Sequence, residues 1–586
     1  MKKIMIGSIL LSISILAQEI SKEAKEEKKP ENTETSKPAV TEEVKPVVTE
    51  TQPIPAEKKY VSSMKGDIPI EFVRSMLITP EQIGTTRKSD LFWLDNLKLG
   101  FHIRPRFESK QNFDFNKTTD DYTNYTAQTT QIWFLIDPSP YFAVKVAVQD
   151  SRLWGGSSNS QTGGDSRYGL TTSAGRDNTS TPVQTKNNTD IREAFILLKK
   201  SDILPVSIQI GRQVFAYGDL RILGPLNWLP NGYSFDGMRI MYDSKYLSSH
   251  ALGVILSEQH DAPGGTISAN GRRRGSIDDA YMTGTYNTIK PFEYFHIDVY
   301  AFGIHKKWIP NVNPVSSEDR SRQRDNLLTT GFRITNRIDG NKLPKGKSWD
   351  WTIESAFQSG LNGERIGANW DPIKQSYNGR QIYTERVRYD AKFLSLETGY
   401  AVLQNLRLGV GYLYGSGDTN RSDSTVGTWS PLFPQVAGSF PYWNVMNGQS
   451  LLFGFQNSKS YSFRINYKTE KAGTFIFTYY DVLKAKNQDA WYNVAGAAVS
   501  DGSSENFSND RFGVRINPGR RLGFQYDITW IWNFSDYISI WAGASIVHAG
   551  DAIRNQRDNP NNSDPLKRYT FDPNAKYFFL MVTASL

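Results

Sequence analysis

From Leu97 onward the chain is built of long segments in which apolar and polar residues alternate one for one. In the first, Leu97, Leu99, Phe101, Ile103 and Phe107 alternate with Lys98, Gly100, His102, Arg104, Arg106 and Glu108. A period of two places each set on its own face of a β-strand. The pattern returns around Lys145 (Phe142 to Val148), Arg333 and Arg337, Asp350 and Glu354, Arg407 (Leu406 to Tyr414), Arg464 (Tyr461 to Tyr467) and Asp527 (Leu522 to Trp532). Strands of soluble proteins usually run about five or six residues, while about ten are needed to cross a bilayer at a tilt. The length of these segments therefore predicts an all-β fold, a transmembrane antiparallel up-and-down β-barrel with its apolar face toward lipid.

The connections agree. Short ones are expected at 137–140, 201–205, 290–291, 404–405, 470–473 and 533–536, and long polar ones near 109–126, 152–189, 214–234, 259–278, 305–325, 360–385, 416–455, 485–520 and 549–575. Short periplasmic turns facing long outer loops are the asymmetry of outer-membrane barrels. Nine long loops imply about 18 strands; 511–516 alternates like a strand too, which leaves sixteen or twenty open.

Ahead of the barrel, Met1-Lys2-Lys3, an apolar run to Leu16 and Ala17 read as a signal peptide over 1–17. Its removal takes the formal charge from +8 to about +6. Residues 18–60 are rich in Lys, Glu and Pro and hold no aromatic before Tyr60, too little to bury against the entropy of ordering. A disordered periplasmic tail is expected there, with a possible export or cell-wall partner. Residues 61–96 form a transitional segment with a short helix near 70–77, and 97–586 the barrel. The chain has no cysteine, so neither a disulfide framework nor a lipid anchor is expected.

If the apolar face meets lipid, the polar face lines a lumen. Lys98, Arg104, Arg106, Lys145, Arg239, Arg333, Arg337, Arg407 and Arg464 would point inward against fewer carboxylates, namely Glu108, Asp298, Asp350, Glu354, Glu397 and Asp527. Guanidinium groups stay charged and bind carboxylates with paired donors, so a preference for anions is expected. The competing reading is that these arginines simply pair with the acids. No metal or cofactor site and no enzyme are expected: the six histidines are scattered, and the glycines from Gly409 to Gly415 lie in a strand with no helix after them. Asp120-Asp121 and Asp278-Asp279 read as loop turns. Arg272-Arg273-Arg274 would catch anionic solute or lipopolysaccharide phosphate, or be a solvated charge run. Nucleic-acid binding is not expected, since the basic residues are spread over the strands.

One connection is denser in charge and glycine than the rest: Gly211-Arg212-Gln213, Tyr217-Gly218-Asp219-Leu220-Arg221, Gly224-Pro225-Leu226-Asn227-Trp228 and Ser234-Phe235-Asp236-Gly237. These pieces resemble the signature of the alginate-export family of outer-membrane porins. Gly415-Ser416-Gly417-Asp418 is similar to that family's Gly-Ser-Gly-Asp loop, Leu522-Gly523 with Asp527 to a late strand, and His548–Asp551 to a late turn. The resemblance covers about residues 95–586. It implies a monomeric eighteen-stranded barrel whose arginine-rich conduit, Arg212 and Arg221 included, passes an anionic polysaccharide, with loops or turns able to cover the pore. Gln525 departs from the family, which often has Glu there. Arg212 shares parity with Val206, Ile208 and Ile210, so it lies either at the rim or on a bulge that turns it inward.

The expected function is an outer-membrane channel for an anionic saccharide of uronate type, in contact with the lipid bilayer and lipopolysaccharide. The alternatives are a porin for other solutes and a surface adhesin using the long loops.

Overall fold

The structure is a computed structural model, and it describes residues 97–585 apart from 155–187, 258–276, 309–322, 338–347, 368–369, 372–375, 378–382, 420–422, 436–446, 500–518, 559–564 and single residues 495, 497, 536 and 568. The expectations for the signal peptide, the tail, the 70–77 helix, Arg272–Arg274 and the 511–516 segment fall outside these residues.

Eighteen strands form one wall: β1 Leu97–Gln111, β2 Thr123–Ile136, β3 Phe142–Trp154, β4 Asn188–Leu198, β5 Ser207–Gln213 and β6 Phe235–Asp243. There follow β7 Leu247–Ser257, β8 Ile277–Phe292, β9 Phe295–Trp308, β10 Gln323–Thr335, β11 Trp349–Gly367 and β12 Tyr383–Leu403. The last six are β13 Leu406–Gly415, β14 Ser458–Lys468, β15 Thr474–Lys484, β16 Arg521–Asn533, β17 Ile538–Ala549 and β18 Asn574–Ser585. Each pairs antiparallel with its sequence neighbours, and β1 closes on β18 from His102 opposite Ser585 to Gln111 opposite Lys576. Closure pairs the backbone groups that an open edge would leave bare in hydrocarbon.

The alternation sorts as expected. Leu99, Phe107, Ile132, Val410, Phe463 and Ile528 stand exposed on the outside, and Arg104, Arg106, Lys145, Arg333 and Arg464 are buried on the inside. At the short-turn end Tyr141, Tyr246, Tyr294, Trp349, Tyr400 and Tyr537 form an exposed aromatic ring, the composition of a membrane–water interface. One turn is displaced. Lys290-Pro291 lies inside β8, and the chain reverses at Glu293-Tyr294. A register shift between Ile289 and Phe292 accommodates the proline there.

Candidate functional site

β5 and β6, with 7 and 9 residues, are shorter than the other wall strands because the chain between them leaves the wall early and turns inward. Gly211 is still paired in the wall, two residues before the strand ends. Its φ is +124°, and a Cβ there would sit 2.3 Å from the carbonyl oxygen of Ala194, so only glycine fits.

Inside the barrel, residues 214–234 meet a second inward stretch, 423–435. Gly224 N donates to Phe433 O at 2.7 Å, Phe433 N to Ile222 O at 3.0 Å, and Gln435 N to Leu220 O at 2.8 Å. The approach needs the glycine, because a Cβ on residue 224 would lie 2.8 Å from Gln435 N. Phe215, Leu220, Ile222, Leu223, Leu226 and Trp228 are buried in one cluster with Trp429, Leu432 and Phe433 of the second stretch, with Phe455 just before β14, and with Tyr286, Phe302, Trp541 and Phe579 of the wall. The lumen thus holds an apolar core of its own, with burial as the driving force. Its sequence trace is the pair of apolar runs Leu220–Leu229 and Leu432–Phe433 within stretches otherwise read as loop.

The motif charges dock this inward loop on one wall. Arg221 bonds Asp219 at 2.9 Å, Glu354 at 3.1 Å and Glu397 at 2.8 Å, and Arg333 bonds Asp219 at 2.5 Å and Asp298 at 2.7 Å. Arg337 lies 3.3 Å from Asp350, 3.5 Å from Glu397 and 3.6 Å from Asp219, while Arg407 grips Asp350 with two bonds of 2.6 Å. Burial by itself raises the Asp219 carboxyl, but the guanidinium groups of Arg333, Arg221 and Arg337 outweigh it and hold it well below its ordinary value. Burial likewise works against the charge on Arg221, and Glu397, Asp219 and Glu354 reverse that. Four arginines meet five carboxylates here, so this cluster carries no excess of positive charge.

The opposite wall, β1 to β6, is different. Arg106 holds Glu108 by bonds of 2.9 and 2.6 Å, donates to the Trp228 carbonyl and stacks 4.2 Å from the Trp228 ring. Lys145 pairs with Glu193. Arg104, Arg192 and Arg239 have no carboxylate partner among the described residues. Arg104 reaches only Thr129, at 3.3 Å; Arg239 bonds Gln209 at 2.6 Å and faces the Phe215 ring; Arg192 donates to the carbonyl oxygens of Pro225 and Tyr233 at 2.9 and 2.6 Å. The loop tip is pinned to the same wall, since Pro230 O accepts from Thr129, Gln149 and Ser151 at 2.8 to 3.0 Å.

The remaining expected residues separate by role. Lys98 is half-buried near the short-turn end, and Arg464 is buried beside Tyr480. Arg212 does not line the lumen. The β4–β5 register runs unbroken through Ala194 and Arg212, and the side chain bonds Asp236 at 2.8 Å on the outer face. Parity without a bulge is the reason. Gln213, Phe235 and Gly237 stand where the loop leaves and rejoins the wall, and Gln213 donates to Gly237 O at 3.1 Å. Gly218, with φ +55°, precedes Asp219 in the turn that carries it to the arginines. Gly417 packs on Asn457, where a Cβ would meet its amide at 1.9 Å. Asp418 N bonds Asp489 at 2.9 Å, and Asp527 accepts Gln449 N at 2.9 Å, tying a further inward stretch to β16. Asp121 accepts three backbone N–H groups of residues 112–114, the turn role expected of it. Arg192 escaped the sequence reading because a register shift opposite Ala147 and Val148 interrupts the alternation and turns both Arg192 and Glu193 inward.

A family model described as "Alginate export" matches residues 95–565. The chain belongs to the alginate export family. The match spans seventeen of the eighteen wall strands, all but β18, and with the closed barrel it makes the chain an outer-membrane channel. Among solved structures the chain is similar to OccAB1 of Acinetobacter baumannii (13% identity, covering 86% of this chain and 100% of that one, TM-score 0.49). It is also similar to OpdQ of Pseudomonas aeruginosa (12% identity, 84% and 99%, TM-score 0.43). No curated protein gives a significant match.

Proposed function

We propose that this alginate-export channel passes an anionic saccharide of uronate type, along the β1–β6 side of its lumen. The observation that carries the reading is that Arg104, Arg192 and Arg239 have no carboxylate partner there among the described residues, while the arginines of β10 to β13 are matched by acids. An unmatched guanidinium in a low-dielectric wall attracts carboxylate. The barrel acts as a monomer, residues 18–60 serve as a periplasmic tail after removal of 1–17, and the outer face meets lipopolysaccharide above the apolar band.

The test is current through the protein in a planar bilayer. Anion-selective current blocked by uronate oligomers, with the selectivity lowered by Arg239→Gln, supports the proposal. Cation-selective current, or a barrel that stays silent even after the inward loop is replaced, overturns it.

A further inference from the structure

The wall is incomplete where the inward loop leaves it. β4 runs from Asn188 to Leu198, but β5 pairs with it only from Leu198 to Ala194, the residue opposite Arg212. Beyond that point, toward Asn188, β4 is in register with β3 alone. Its free side leaves backbone carbonyls without a strand partner, and such groups are costly beside lipid. Side chains from the two ends of the loop meet two of them. Arg212 Nε donates to Ile191 O at 2.7 Å, and Ser234 Oγ donates to Arg192 O at 2.8 Å.

The fork of Arg212 is divided among three strands. Nε holds the β4 backbone, Nη1 bonds Asp236 of β6 at 2.8 Å, and Nη2 lies 3.7 Å from Asp190 of β4. Asp236 stands opposite Arg212 in the β5–β6 register. One side chain therefore ties β4, β5 and β6 together at the last residues before the chain turns inward after Gln213 and returns at Phe235. A lysine offers a single ammonium on a flexible stem, whereas the planar fork of arginine can serve a carbonyl and a carboxylate at once.

We propose that Arg212 is a positioning residue, a clamp on the outer face that stands in for the missing strand and fixes where the inward loop leaves the wall. With the clamp gone, the root of the loop shifts and its body docks less firmly on the lumen wall. The position of the loop is thus set partly from outside the lumen. This does not depend on the anionic-saccharide reading.

The experiment records the full-length protein in a planar bilayer, with the heat-modifiable band on a gel as the measure of folding. Arg212→Gln should fold, raise the basal conductance several-fold and leave the reversal potential as in the wild type, because a side chain outside the lumen does not select ions. Arg212→Lys should behave like Arg212→Gln although it keeps the charge. With residues 219–231 replaced by a Gly-Ser linker, Arg212→Gln should change the conductance no further. A role confined to wall stability would instead lower the folded yield in both backgrounds and leave the conductance alone. Asp236→Asn removes a charge and keeps an acceptor; it should raise the conductance by less, and it keeps the test decisive if the variants at 212 do not fold. Wild-type conductance in the variants that fold overturns the clamp. So does a shifted reversal potential, or a wild type and variants that all pass no current.

Discussion

Arg221 is the residue on which the inward loop turns. It is fully buried and shares its guanidinium among Asp219, Glu354 and Glu397. Arg221→Met would leave three buried carboxylates without that shared partner, and breaking a buried pair in this way costs about 3–5 kcal/mol. The loop should undock, seen as a higher basal conductance and faster protease cleavage within 214–234; unchanged conductance would contradict the assigned role. Asp219 gives the matching pH dependence. Its carboxyl is held below its ordinary value, so it contributes stability that is present above the unfolded value and is lost as pH falls through the lower folded one. Conductance should stay constant from neutral pH down to about pH 4 and rise only below it, and a rise beginning at pH 6 would count against the network. The motif made Asp219 and Arg221 visible in the sequence, but not their partners. Glu354 and Glu397 lie 133 and 176 residues further along the chain, and only barrel closure brings them across.

At the scale of the element, the strands were legible because lipid imposes a strict period of two on every outward position. Loop 214–234 was not, because its apolar residues obey no period: they pack into a lumen already shaped by the wall. Leu220 and Leu226 even adopt positive φ, at 62° and 55°, a strain of about 1–2 kcal/mol each that the apolar core and the ion pairs offset. Replacing residues 219–231 with a Gly-Ser linker should leave the barrel folded and raise single-channel conductance several-fold. Gly211→Val should act on the wall instead. A branched side chain at φ +124° against the Ala194 carbonyl is expected to lower the yield of folded barrel, read as loss of the heat-modifiable band on a gel. Lys290-Pro291 was misplaced for a simple reason: a polar residue before proline usually marks a turn, whereas here a register shift lets the strand continue past it.

Across the whole molecule, charge is divided rather than uniform. The sequence shows an excess of inward arginines but not which ones meet acids, and that division decides what the lumen can hold. On β10 to β13 the positive charge is used up in docking the loop, so reversing Arg333 and Arg337 together should open the channel as well as change its selectivity. On β1 to β6 three arginines stay without carboxylates among the described residues, and passage of anions depends on that side. The most direct test is the reversal potential of the wild-type protein in a planar bilayer under a KCl gradient. The account expects a potential displaced toward that of chloride, and further uronate block on top of it. A potential at zero, or one displaced toward that of potassium, would contradict it.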